Sequence, residues 1–166
     1  SNIPGMETRV QGCNEINIPI LHFGTTSYYL SGESRIPITE TSEKAPKTFY
    51  GVSKLVQEVY LKTHCKTKYL IVEPVFGYGN IGKNFSGRVD SVMDKAAYLL
   101  RNLDAKQMEV RIGEQWVKDY THVSDIVWMT EQIIQNPAWG ETILVGAGYN
   151  LLVRDILKPV RKQLAN

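Results

Sequence analysis

Only two cysteines, Cys13 and Cys65, occur among the 166 residues, which excludes a disulfide framework, and their spacing does not suit a metal site. They read as buried structural thiols of a reducing compartment, and no metal is expected. No apolar run approaches the roughly 18 residues that span a bilayer, and no signal-peptide pattern opens the chain. Charge of one sign is not in excess either. Nineteen basic residues face seventeen acidic ones, a net charge of +2, which removes the electrostatic case for nucleic acid or an anionic membrane as partner. Repeats, low-complexity tracts and long charge runs are lacking, so no internal linker divides the chain. The glycine-rich turn of a dinucleotide-binding unit is also missing. Neither GxGxxG nor GxxGxxG occurs, and Gly77-Tyr78-Gly79 and Gly146-Ala147-Gly148 each lack a third glycine at the required spacing. Such a unit would have to lie upstream of residue 1, unless the protein never had one. What is left is ordinary globular composition, 43% hydrophobic and 22% charged, in a chain long enough to bury one sizeable core. A soluble cytoplasmic protein is expected.

Two kinds of segment alternate along the chain. Residues 4–16 read as a helix with Pro4 in its first turn, where a missing N–H costs least. The short apolar run from Pro19 to Phe23 leads into Gly24-Thr25-Thr26-Ser27, the pattern of a buried parallel strand opening into a loop. After a polar loop to residue 47, Thr48 can cap a helix over 49–64, with Val52, Leu55, Val56, Val59 and Tyr60 at helical spacing. Tyr69 to Val72 is a second buried strand, ended by Pro74 and the glycines of Phe76-Gly77-Tyr78-Gly79. Helices are predicted over 87–102, 124–136 and 152–164, and strands over 107–112 and 142–145. The alternation predicts an α/β fold with parallel strands.

The residues able to do chemistry cluster early. Tyr50-Gly51-Val52-Ser53-Lys54 sets a phenol and an ammonium four residues apart, on one face of a helix. A lysine cation beside a phenol favours the phenolate, which can exchange a proton with a carbinol or carbonyl oxygen while hydride moves at the attached carbon. That spacing is common by chance, and an ordinary exposed pair would explain it. Position argues otherwise. Thr25 stands twenty-five residues earlier at the end of a predicted strand, where active-site groups of open α/β sheets gather, and Thr26 or Ser27 can take its place if the strand ends later. His22 and His64 read as core or cap residues, and His122 as structural. Trp116, Trp128 and Trp139 read as core or interdomain packing, and Asp125, with Ser124 as alternative, as a helix cap.

Taken in order, these segments resemble the extended short-chain dehydrogenase/reductases, which include nucleotide-sugar epimerases, dehydratases and reductases. The resemblance rests on Leu21 to Thr25, Pro37-Ile38-Thr39-Glu40, Tyr50 to Lys54, Val75-Phe76-Gly77, Val117 to Asp125 and Gly140 to Gly148. It implies a partial Rossmann-like parallel sheet over residues 1–76, the C-terminal half of that domain, and a small α/β substrate lobe with returning elements over 77–166. It implies Tyr50 as general acid/base, Lys54 tuning it and binding the nicotinamide ribose of NAD or NADP, and Thr25 bonding the reacting sugar hydroxyl. Pro74 would border the cofactor. Thr26, Ser27, Asn84 and Lys118 would contact the nucleotide sugar, the last two near its diphosphate. Epimerisation is the leading activity, reduction the second. The departures are Gly24 and Leu30 where serine and glycine are common, Pro74 for asparagine, Lys118 for arginine, and Thr26-Ser27 for the Asp-Glu of dehydratases. A non-catalytic truncated or split relative, binding a nucleotide sugar or a partner chain, is the alternative. The expected partners are a nucleotide sugar and either a second copy of the chain or a chain supplying the missing N-terminal half.

Overall fold

The computed structural model describes residues 2–29, 37–79 and 117–152, together with Asp155 and Lys158. The predicted elements at 87–102 and 107–112, together with Leu30, Asn84 and Trp116, lie outside the described residues. So does most of 152–164. The described elements are α1 (Asn2–Ile16), β1 (Ile20–Phe23), a 3-10 turn (Thr26–Tyr28), α2 (Phe49–His64), β2 (Tyr69–Pro74) and β3 (Phe76–Tyr78). After them come β4 (Val117–Lys118), β5 (Tyr120–His122), α3 (Val123–Gln135), β6 (Thr142–Val145) and β7 (Leu151–Leu152).

Three parallel strands, in the order β1-β2-β6, form the main sheet. Leu21 pairs with Leu70 and Phe23 with Val72, while Val72 pairs with Ile143 and Pro74 with Val145. Both faces of β2 are covered, as its unbroken apolar run requires. Ile71 packs with Met6 and Val10 of α1 and Leu61 of α2. Leu70 and Val72 point the other way and pack with Val145 and with Ile126, Met129 and Ile133 of α3. Helices on both faces of a parallel sheet make a three-layer α/β arrangement. Two small sheets lie apart from it: β3 pairs with β5 in parallel, and β4 with β7 antiparallel.

Several readings of the sequence change. On α2 the buried positions are Gly51, Gln57, Glu58 and Leu61, whereas Val52, Val56 and Val59 form an exposed stripe. Helical spacing of apolar residues located the helix but not its inner face, because charge pairing lets Glu58 take a buried place. β2 runs on through Glu73 to Pro74 instead of ending at Val72. Phe76–Tyr78 is a strand, not a turn, and Leu152 closes β7 instead of opening a helix. Finally, Trp128 is well exposed on α3 and both cysteines are only half-buried, so neither belongs to the closed core.

Candidate active site at the carboxyl end of the parallel sheet

The main sheet opens between β1 and β2 for a definite reason. Gly24 N–H donates to the Val72 carbonyl at 2.8 Å, and the N–H groups of Ile71 and Val75 both point at the β6 side. The next rung toward β1 would therefore come from residue 74, and proline has no N–H. The ladder stops there and the chain after β1 turns away. Thr25 stays extended and caps the 3-10 turn: its Oγ1 accepts from Ser27 N at 3.2 Å and lies 3.2 Å from Ser27 Oγ. Thr25 and Thr26 are buried and Ser27 is exposed.

α2 starts against this turn. Thr48 Oγ1 accepts from Gly51 N at 3.0 Å, the cap expected for it. A Cβ on Gly51 would lie 2.7 Å from the Ser27 carbonyl oxygen and 2.9 Å from Pro46 Cβ, so only glycine lets the helix start approach so closely. Tyr50, the residue before Gly51, is 53% exposed. One helical turn on, Lys54 Nζ donates to the Phe23 carbonyl at 2.7 Å. Its ammonium is anchored at the carboxyl end of β1, and burial, helped by the Arg9 charge, lowers its pKa. The Thr25 hydroxyl and the Lys54 ammonium thus lie where β1 ends, and the Tyr50 phenol is carried by the first turn of the helix packed against that end; these are groups able to pass a proton to or from a bound oxygen.

Beneath them lies a charge cluster that sequence reasoning missed. Glu73 is fully buried and accepts from Lys44 Nζ at 2.7 Å and from Tyr29 Oη at 2.6 Å. Lys44 also donates to both oxygens of Glu58, at 2.6 and 2.8 Å, and Lys62 reaches Glu58 at 2.8 Å. The Lys44 ammonium uses its three donors on two carboxylates and lies 4.8 Å from the Tyr28 ring centre. Burial pushes Glu58 up, but hydrogen bonds from Lys44 and Lys62 outweigh it and hold the carboxyl below its ordinary value. For Glu73 burial wins over Lys44 and Tyr29, and the carboxyl is raised. Burial, with both carboxylates nearby, raises the Tyr28 phenol. Gly24 lies directly on this cluster: a Cβ there would be 2.8 Å from Glu73 Cγ and 3.0 Å from Tyr28 Oη. The glycine where serine is common is thus matched to a large carboxylate opposite it. His22 is buried on the same face, its Nε2 without a hydrogen-bond partner, and burial together with the Lys54 and Arg9 charges lowers its pKa to about 4.

The later segments brace the same end of the sheet. Glu40 Oε1 accepts from Leu144 N at 3.1 Å, joining the Pro37–Glu40 loop to β6. Asp119 Oδ2 accepts from Gly148 N at 2.8 Å, and Thr121 Oγ1 donates to Asp119 Oδ1 and accepts from Ala147 N. Lys118 Nζ lies 4.7 Å from the Phe76 ring centre, and burial lowers its pKa. α3 is capped by His122, whose side chain accepts from Ser124 N, and not by Asp125 or Ser124. Asp125 sits in the first turn and accepts from Ser124 Oγ at 3.2 Å. His64 stacks on Tyr60 at the end of α2.

A hydroxyl, a phenol and an ammonium at the carboxyl ends of parallel strands define an α/β protein with its candidate site where open sheets hold theirs. A sequence model of the NAD dependent epimerase/dehydratase family matches residues 1–146, and the chain belongs to that family. The dTDP-4-dehydrorhamnose reductase of Shigella flexneri is 33% identical over 85 residues, 51% of this chain and 28% of that protein. Its Escherichia coli counterpart is 32% identical over the same shares. Among solved structures, the dTDP-glucose 4,6-dehydratase of Bacillus anthracis in complex with NAD matches 99% of this chain and 52% of its own, with TM-score 0.81 and 18% identity. The UDP-glucose 4-epimerase of Thermotoga maritima with UDP-glucose matches 99% of this chain and 53% of its own, with TM-score 0.80 and 20% identity. These structures share the Rossmann-type fold. The chain spans about half their length and 28% of the curated relatives' length.

Proposed function

We propose that the chain is the catalytic and substrate-binding part of an NAD(P)-dependent nucleotide-sugar epimerase or related reductase. Residues 1–76 form the C-terminal half of the Rossmann-like domain, and residues 77–166 the substrate lobe with elements returning to the sheet. What supports the reading is that α2, which carries Tyr50 and Lys54, packs against the turn that carries Thr25 through Gly51 and bonds the end of β1 through Lys54. Bound nicotinamide would supply the hydride acceptor or donor. Tyr50 takes the proton from the reacting sugar hydroxyl and returns it, Thr25 holds that oxygen by a hydrogen bond, and Lys54 binds the ribose and balances the phenolate charge. Pro74, where the β1–β2 ladder ends for want of an N–H, would border the nicotinamide end of a cofactor. Thr26 and Ser27 line the sugar side, and Asn84 and Lys118 meet the diphosphate.

The reductase relatives favour reduction as much as epimerisation. Tyr50→Phe in the catalytically competent protein is expected to lower turnover about 10²-fold or more with KM nearly unchanged, since a proton-transfer group contributes 10²–10⁴. Turnover within a factor of two of the parent would remove Tyr50 from the mechanism. Among the described residues β1 is an edge strand, which supports a second reading: a non-catalytic relative that binds a nucleotide sugar or a partner chain. Nucleotide-sugar binding without turnover in any assembly would select it.

A further inference from the structure

The segment Gly24–Tyr29 is fixed at its two ends to consecutive residues of β2. Gly24 N–H bonds the Val72 carbonyl at one end, and Tyr29 Oη bonds Glu73 Oε2 at 2.6 Å at the other. Thr25 lies between these anchors. Lys44 completes the second anchor: its backbone bridges to Tyr29, and its ammonium pairs with Glu73 at 2.7 Å and with Glu58 of α2 at 2.6 Å. α2 carries Tyr50 and Lys54. One ammonium therefore ties the turn bearing the hydroxyl to the helix bearing the phenol.

We infer that Glu73, held by Lys44 and bonded by Tyr29, is a positioning residue that sets the Thr25 hydroxyl against Tyr50. This rests on the catalytic reading of Thr25 and Tyr50 given above. A buried carboxylate without partners costs several kcal/mol, so such a group persists only where its hydrogen bonds are complete, and here each Glu73 oxygen has one. A shift of the turn by half an ångström is resisted by its own buried residues, Thr25, Thr26, Tyr28 and Tyr29, and the Tyr29–Glu73 bond fixes where they settle. The same shift misaligns a hydrogen bond to the reacting oxygen, which belongs to the rate and not to binding.

The test uses Tyr29→Phe, which removes one hydroxyl and keeps the ring. In the competent protein, amide exchange at Ser27, whose N–H is held by Thr25 Oγ1, should quicken about tenfold while that of Leu61 in α2 stays unchanged. In the competent protein kcat should fall about tenfold with KM within twofold, and Tyr29→Phe with Thr25→Val should be no slower than Thr25→Val alone. Unchanged Ser27 exchange, equal quickening at Leu61, or fully additive rate losses would each overturn the proposal. If Thr25→Val alone leaves turnover intact, the catalytic reading fails, and the exchange measurement alone then decides whether Glu73 positions the turn.

Discussion

Gly24 and Glu73 are complementary in volume, and that complementarity gives a direct stability test. A methyl group at position 24 would meet Glu73 Cγ at 2.8 Å, and that atom belongs to a side chain pinned by Lys44 and Tyr29. Gly24→Ala should therefore cost roughly 1–3 kcal/mol, the range for overpacking, measured by urea denaturation. A loss under half a kcal/mol would mean that the carboxylate is free to move. His22 gives a pH signature. Its folded pKa of about 4 lies below the ordinary histidine value of about 6.5, so the unfolded chain binds the extra proton first as pH falls. This contribution is intact above pH 6.5 and shrinks progressively down to pH 4, reaching a loss of about 2 kcal/mol at pH 5. His22→Leu should remove that part of the slope between pH 7 and 5 in denaturation midpoints. The end of β1 at Thr25 and the helix carrying Tyr50 and Lys54 were legible because strand order and helical spacing reach them. Lys44, Glu58 and Glu73 were not, since charges 14 and 15 positions apart carry no local period.

At the level of elements, β1, α2 and β6 were readable from apolar runs and a Thr cap. Their ends and faces depended on partners distant in sequence. β2 extends two residues beyond its apolar run because Glu73 is paired, and α2 turns its valines outward because Glu58 is paired. β5 and the turn after β6 are joined by the polar side chains of Asp119 and Thr121. Thr121 is almost fully buried and its single hydroxyl both donates to Asp119 and accepts from Ala147 N. Thr121→Val keeps the shape and leaves that N–H unpaired, which should cost about 1–3 kcal/mol. Amide exchange at Ala147 should rise with it. Protection retained at Ala147 would show that the Asp119–Gly148 bond alone holds the turn.

For the whole molecule the decisive feature is the free side of β1. It is an edge strand of the main sheet among the described residues, and Phe23 at its end is 46% exposed. The exposed valines of α2 add apolar surface nearby. A bare parallel edge invites pairing with another chain. The 166-residue chain on its own should therefore elute larger than a monomer, or precipitate, in size-exclusion chromatography. It should also bind NADH poorly. Affinity for the pyrophosphate comes largely from backbone N–H groups at a glycine-rich turn and the positive end of its helix, and the sequence contains no such turn. On the function proposed above, Tyr50, Lys54 and Pro74 would meet only the nicotinamide end, which lacks the charge that makes dinucleotide binding strong. A fluorescence titration should thus give no saturation at micromolar NADH. Adding a chain that carries a glycine-rich half should restore binding and turnover together, because it would supply both the pyrophosphate site and strands for the free edge of β1. Micromolar affinity in a clean monomer would instead mean that the cofactor site is complete within these residues.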